Sequence, residues 1–422
     1  MRRRGNWRHG FEQRFGKFDA KLKQAITNRQ TLWLHAVSVG EVNLCTYLIR
    51  ALEPRIPNIK IIVSTTTSTG MGRLRDLLPT HISRIYYPID RKKYVARALA
   101  AFRPEAIILV EAEIWPNFIW RANSAGIPLF LVNARMSERS YPRYRRFAFL
   151  FRKLFGSFKG VGAQNDEDAK RFIALGCRPE TVQVVGSLKF DAAKITERRT
   201  IDVPALLAQV GWQTGAPVLV AGSTHAGEET ILADIHQRLK ARFPGLFLVL
   251  VPRHHERARE VGRELTTRGI KFIYRSDVEV GKPGNNGATD CLVVNTIGEL
   301  RYFYDAATVV FIGKSLTASG GQNPIEPGEV GKAIVFGPNM QNFQDITRLF
   351  LANEAVVQVK DATELEHSIS DLLANPSRRE QLGQRARAVV TENLGAVERT
   401  VEMIVPHLRA RGLYVRDKPN NA

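Results

Sequence analysis

Glu41 closes the run Trp33-Leu34-His35-Ala36-Val37-Ser38-Val39-Gly40-Glu41, in which an apolar strand must bend into the helix that follows. Open α/β sheets bind their ligands at such bends. Partial desolvation there can raise a carboxylate toward working pH and let it take a proton from an attacking hydroxyl. A first-turn glutamate that merely favours the helix dipole has the same signature. Glu111-Ala112-Glu113-Ile114-Trp115-Pro116-Asn117 repeats the arrangement after a second apolar strand. Its two acids suit a reaction centre, or they cap helices and pair with Arg135 and Arg139. Far downstream, Gly320-Gly321-Gln322-Asn323-Pro324-Ile325-Glu326-Pro327 is another Gly-rich turn that opens a helix and carries a glutamate.

Three more loops in the second half follow strands: Gly222-Ser223-Thr224-His225, Pro252-Arg253-His254-His255 and Gly298-Glu299-Leu300. Backbone N–H groups at helix starts are phosphate ligands, and Arg253 suits the neutralisation of a leaving group. The His254-His255 pair invites a metal reading, but no Cys, His and acid cluster stands at ligand spacing, so no metal is expected. A base, a cation for a departing phosphate and donors for a nucleotide are the parts that sugar transfer from an activated donor requires.

The elements that must position these residues are alternating strands and helices. Apolar β-branched runs at Thr31–Val37, Lys60–Thr65, Ala106–Val110, Pro128–Asn133 and Val182–Val185 are separated by amphipathic segments, which predicts a parallel, doubly wound sheet. Gly186–Gly215 is polar, and a fresh strand begins at Pro217. Further strands are expected at Leu246–Val251, Lys271–Tyr274, Cys291–Val294, Thr308–Ile312 and Ala333–Phe336, with helices from Asp361 onward. The expected fold is α/β, with two Rossmann-like domains facing across a cleft. The divisions are a basic segment at 1–29, an N-terminal acceptor domain at 30–195, a linker at 196–215 and a C-terminal nucleotide domain with its helices at 216–422. The stretch 281–287 reads as a mobile surface loop.

A chain of 422 residues, 44% hydrophobic, is long enough for two cores. Three well-separated cysteines form neither a disulfide framework nor a zinc site, so the chain reads as intracellular and reduced. The net charge of +20 calls for acidic partners. In the first 29 residues nine basic side chains outnumber Glu12 and Asp19, and Trp7, Phe11, Phe15 and Phe18 recur at helical spacing. This helix either lies on anionic lipid or packs its aromatics on the first domain. The basic, aromatic stretch from Asn133 to Phe155 suits phosphates at a bilayer surface or single-stranded nucleic acid, or an ordinary helix burying Phe147, Leu150, Phe151 and Leu154. No run of about 18 apolar residues or signal peptide is present, so no transmembrane helix is expected.

Taken in order, the motifs at 38–41, 111–117, 133–140, 186–191 (Gly186-Ser187-Leu188-Lys189-Phe190-Asp191), 252–254, 298–300 and 323–327 resemble those of the 3-deoxy-D-manno-octulosonic acid (Kdo) transferases of lipopolysaccharide assembly. The resemblance implies an inverting GT-B glycosyltransferase, with no cofactor, that moves Kdo from the donor CMP-Kdo to the 6-hydroxyl of a lipid A precursor. It gives Glu41 the proton and matches Glu111 and Lys189 to transition-state stabilisation. It assigns Pro252, Arg253, Gly298, Glu299, Leu300, Asn323, Pro324, Ile325 and Glu326 to the nucleotide. Ser38, Gly40, Arg135, Ser137 and Arg139 fall to the acceptor. It further implies a peripheral enzyme on the cytoplasmic face of the inner membrane, with no nucleic-acid partner. The chain differs from the usual pattern at Ala112, Asn295 and Gln322 and lacks the usual N-terminal apolar anchor. Two other readings are a UDP-sugar transferase or epimerase on the same scaffold, and a non-catalytic basic protein that binds membrane or RNA.

Overall fold

A computed structural model describes residues 10–111, 114–138, 140–194, 201–278 and 289–417. The chain divides into two compact units: the part up to Ala192 together with Asn393 onward, and Ala193–Glu392.

The first unit holds a seven-stranded parallel sheet of β1 (Thr31–His35), β2 (Lys60–Thr65), β3 (Ser83–Tyr86), β4 (Pro104–Val110), β5 (Leu129–Ala134), β6 (Gly160–Ala163) and β7 (Val182–Val184). Their order is β3-β2-β1-β4-β5-β6-β7. The direction of winding therefore reverses between β1 and β4, and a crevice opens there beyond the strand ends. Both faces of a parallel sheet must be covered, which is why β1 and β5 are buried along their whole length.

The C-terminal helix Ala396–Ala410 completes that cover. Val401, Met403, Ile404, Val405 and Leu408 are buried in one core with Leu32, Leu34, Ala106 and Phe130. Asp191 accepts from the backbone N–H groups of Gly395 and Val397, both at 2.6 Å. Arg55 donates to Glu402 at 2.9 Å. The expected boundary at 216–422 is thus corrected, because the last helix belongs to the first unit, whose sheet would otherwise expose apolar surface. The expected linker at 196–215 contains a helix, Val203–Gln209, that buries Leu206 and Leu207 in the second unit.

Within the expected N-terminal segment, Asp19 caps a helix at Ala20–Ile26. Phe18 is buried against Phe102, with ring centroids 4.4 Å apart, and Phe15 meets the edge of Tyr94 at 5.1 Å. These two aromatics pack on the first unit; Trp7 lies outside the described residues.

The second unit repeats the design with β8 (Val218–Thr224), β9 (Phe247–Pro252), β10 (Phe272–Tyr274), β11 (Cys291–Val293), β12 (Val309–Ile312), β13 (Ala333–Phe336) and β14 (Val357–Gln358), in the order β10-β11-β9-β8-β12-β13-β14. Its reversal lies between β8 and β12. The expected loop at 281–287 lies outside the described residues.

Candidate active site

The bend after β1 is built around Glu41. Ser38 Oγ accepts from the Glu41 N–H at 3.2 Å, while the Glu41 carboxylate accepts from Val37 N–H at 2.8 Å and Ser38 N–H at 3.3 Å. This reciprocal capping box starts the helix Val39–Leu52. Thr65 and Thr67 hydroxyls both donate to the Val37 carbonyl at 3.1 Å, pinning the bend to β2 and the loop after it. Glu41 is therefore a cap and a buried, immobile carboxylate at the crevice, 8% exposed. Gly40 is exposed, and a Cβ there would meet only Ser38 Oγ, at 3.7 Å, so a ligand can approach the backbone closely.

Across the crevice, Glu111 ends β4 with φ +61° and Asn133, in β5, has φ +50°. Asn133 Nδ2 donates to Glu111 Oε1 at 3.4 Å, and Asn133 Oδ1 accepts from Leu188 N–H at 3.0 Å. That second bond anchors the start of the helix Leu188–Lys194, which carries Lys189. Burial pushes the Glu111 carboxyl up; Lys189 opposes the shift most, Glu41 adds to it, and Arg135 and Asn133 oppose it. Glu41, Lys189 and Arg135 thus each act on Glu111. Ser137 is committed elsewhere: its hydroxyl bonds Ser140 Oγ at 3.0 Å and accepts from Ser140 N–H at 3.2 Å, shaping the turn into the helix Tyr141–Arg146. Arg139, Ala112 and Glu113 lie outside the described residues.

Residues missing from the sequence-based set hold this site in place. Asn133 was a strand residue to the eye, although asparagine's tolerance of a left-handed backbone was a signal. His35 is fully buried, stacked on Tyr87 at 3.8 Å, with Nδ1 2.9 Å from Ser64 Oγ. Burial lowers its pKa to about 3, so the ring is neutral.

In the second unit, Arg253 follows β9 and is fixed by its backbone N–H to the Thr224 carbonyl at 3.0 Å. Asn323 donates to Glu326 Oε1 at 3.1 Å and accepts from Ile325 N–H at 3.1 Å, which starts the short helix Ile325–Glu329. Burial pushes the Glu326 carboxyl up, against Asn323, Arg301 and Arg253. The structure therefore gathers Arg253, Asn323 and Glu326 and adds Arg301, which sequence reasoning missed. Tyr304 joins from the same helix, Leu300–Ala306, as Arg301; its hydroxyl fills the place of a Gly222 side chain, 2.1 Å from where a Cβ would stand.

Two expected nucleotide residues are used differently. The Glu299 carboxylate is 3.0 Å from Arg275 Nε and accepts from Thr296 Oγ1 at 2.6 Å, so it braces its own loop. Gly298, at φ +87° with open space around it, and the Leu300 N–H at the helix start remain available. Pro324 and Ile325 are buried, so they offer only backbone.

Comparison with known proteins gives the family of the chain. A family model described as 3-deoxy-D-manno-octulosonic-acid transferase (kdotransferase) matches residues 9–192. The 3-deoxy-D-manno-octulosonic acid transferase of Haemophilus influenzae is 33% identical over 381 residues, covering 90% of this chain and 87% of the relative. This chain belongs to the Kdo transferase family. The Bordetella pertussis Kdo transferase is 32% identical over 95% of this chain and 92% of its own. Among solved structures, the UDP-GlcNAc 2-epimerase of Neisseria meningitidis covers 89% of this chain and 100% of its own with TM-score 0.60 at 14% identity, a likeness of fold. The Kdo transferase is thus a glycosyltransferase with two Rossmann-like domains of the GT-B type.

Proposed function

We propose that this Kdo transferase moves Kdo from CMP-Kdo to the 6-hydroxyl of a lipid A precursor during lipopolysaccharide synthesis, with inversion and release of CMP. The observation that carries the reading is the convergence of Glu41, Glu111 and Lys189 on the first unit's switch point. The acceptor oxygen bonds to the anomeric carbon as the bond from that carbon to the CMP phosphate oxygen breaks. Glu41 takes the hydroxyl proton. Its two backbone hydrogen bonds hold the carboxylate still, which makes the geometry of proton transfer reproducible.

Positive charge builds on the sugar ring and negative charge on CMP in the transition state. Glu111 and Lys189 steady the reacting centre, and Arg253 neutralises the leaving phosphate. These cations supply the charge that the reaction needs without a metal or other cofactor. Asn323, Glu326 and the backbone at Gly298 and Leu300 hold the nucleoside, while Ser38, Gly40 and Arg135 form the acceptor side.

The acceptor is an acylated, phosphorylated lipid, and the helices Tyr141–Arg146 and Ala148–Phe155 suit it. Leu154 and Phe155 are buried, whereas Phe147 is 43% and Phe149 76% exposed, beside exposed Arg143, Arg145, Arg146, Arg152 and Lys153. The expected burial of Phe147 is therefore corrected; the Leu150 side chain lies outside the description. An exposed aromatic pair ringed by cations inserts into an anionic interface. Among the described residues no helix is long and apolar enough to cross a membrane. We assign the enzyme to the cytoplasmic face of the inner membrane, held peripherally.

The test is transfer of labelled Kdo from CMP-Kdo, generated in situ, to a tetra-acylated lipid A precursor, with products resolved by mass. Kdo addition with release of CMP is expected. A folded protein that binds CMP and transfers nothing to this acceptor would refute the acceptor assignment.

A further inference from the structure

We propose that Lys314, with His225 beside it, forms a separate anion subsite that reads the carboxylate of the sugar acid, distinct from the Arg253 site for the nucleotide phosphate. The inference rests on the donor-site reading above. Two non-glycine residues sit in the left-handed region at the second unit's switch point: Ser223 at φ +56°, in β8, and Lys314 at φ +57°, just after β12. A lysine there is strained, where glycine would adopt the turn freely.

The surroundings enforce the strained turn. The wholly buried Glu228 carboxylate accepts from the N–H groups of Lys314, Ser315 and Leu316 at 2.7, 2.9 and 3.0 Å, and from His225 N–H at 2.9 Å. One buried acid thereby locks the loops after β8 and β12 together. Gly313 lets them touch, since a Cβ there would lie 2.4 Å from the Ser223 carbonyl oxygen.

The lysine stem is also accommodated. A Cβ on Gly320 would stand 3.2 Å from Lys314 Cε, and Gly321 N–H donates to the Lys314 carbonyl at 2.8 Å. This turn runs directly into Asn323 and Glu326. Lys314 is half-buried and, among the described residues, makes no ion pair. His225 Nδ1 is buried without a hydrogen-bond partner, and its ring lies 5.8 Å from that of His254. Burial first, and the charge of Lys314 second, lower the His225 pKa. The neutral ring carries a single N–H, for which the Ser223 carbonyl competes with an anion.

The donor carries two anions close together: the phosphate that leaves, and the carboxylate on the anomeric carbon that stays with the sugar. Arg253 serves one. A cation held at energetic cost at the neighbouring strand ends, without an ion-pair partner among the described residues, serves the other.

The experiment measures KM for CMP-Kdo and the inhibition constant of CMP in wild type, Lys314→Gly and Lys314→Met. Glycine relieves the backbone strain and methionine keeps the stem, so both fold. We expect at least a tenfold rise in KM for CMP-Kdo in both, with CMP inhibition within twofold of wild type and the Lys314→Gly melting temperature unchanged or higher. An unchanged KM overturns the proposal. CMP inhibition weakening in step with KM also overturns it, by giving Lys314 to the phosphate. A wild-type enzyme that CMP does not inhibit would refute the donor-site reading itself, a failure visible without any Lys314 variant.

Discussion

Glu41→Gln separates the two duties that the structure assigns to this side chain. In the capping box, glutamine retains one acceptor oxygen, and Ser38 still receives the N–H of residue 41. What is lost is one charge-assisted acceptor among the two contacts at 2.8 and 3.3 Å. Such a loss costs about 1–2 kcal/mol, or roughly 2–8 °C in melting temperature for a domain of this size. The variant stays folded at assay temperature. As a base, however, an amide is useless, and removal of general base catalysis lowers turnover by roughly 10²–10⁴. The comparison is Glu41→Ala, which deletes the cap as well. If proton transfer is the function, the two variants have similarly depressed kcat, while alanine melts lower. The assay is single-turnover transfer of labelled Kdo to the lipid acceptor, with CMP binding by calorimetry as a control for the donor site. A Glu41→Gln enzyme that keeps more than a tenth of wild-type turnover would leave Glu41 as a cap alone.

Three further outcomes are expected. Arg253→Ala removes the cation assigned to the leaving phosphate and should weaken CMP by about 10–100-fold in calorimetry, the worth of a charge-assisted hydrogen bond; unchanged affinity would remove Arg253 from the donor site. Phe149→Asp, at a position 76% exposed, should cut co-sedimentation with anionic vesicles by about tenfold or more, given roughly 1.5–3 kcal/mol for burying a phenylalanine, and leave the melting temperature within a degree or two; undiminished vesicle binding would move the membrane contact elsewhere. His35 has a folded pKa of about 3, below the value near 6.5 in the unfolded chain. Its contribution is therefore complete above pH 6.5 and is lost as pH falls toward 3, by about 1.4 kcal/mol per unit. Urea unfolding at pH 7 and pH 5 should show wild type losing about 2 kcal/mol more than His35→Phe; equal losses would mean that the ring is protonated in the native state.

The long apolar strands were legible because β-branched runs buried on both faces announce a parallel sheet. Lys60–Thr65 and Ala333–Phe336 stand where the pattern put them. Ser83–Tyr86, Gly160–Ala163 and Val357–Gln358 were missed, being short and weakly patterned. Gly160-Val161-Gly162-Ala163 is a strand for a tertiary reason. A Cβ on Gly160 would stand 2.9 Å from the Phe130 ring and 3.1 Å from Met403, so only glycine admits the C-terminal helix at that distance. The same long-range packing hid the domain boundary. The apolar stripe of Val397, Val401, Ile404 and Leu408 shows that the last helix is amphipathic, and nothing local says which sheet it covers. In the site, residue types and strand ends pointed to Glu41 and Glu111, but Lys189 reaches Glu111's surroundings because Asn133 and Asp191 tie its helix down from distant parts of the chain.

Asn133 also shows why strain is the deeper common feature of the two units. Each switch point is bordered by a pair of left-handed residues that are not glycine: Glu111 and Asn133 in the first unit, Ser223 and Lys314 in the second. Glycine would make each turn without strain, yet it would remove a carboxylate, an amide, a hydroxyl or an ammonium from the crevice. In the first unit the strained pair bonds to itself, Asn133 to Glu111. In the second it is held from behind by Glu228, which takes the Lys314 N–H and leaves the ammonium untouched. The conformational cost of the first pair is thus offset inside the site, so Glu111→Gly should loosen the Lys189 helix along with the reaction centre. The cost at Lys314 is offset outside the site, so glycine there should stabilise the unit while weakening the donor. A Lys314→Gly protein that melts lower than wild type would contradict this division.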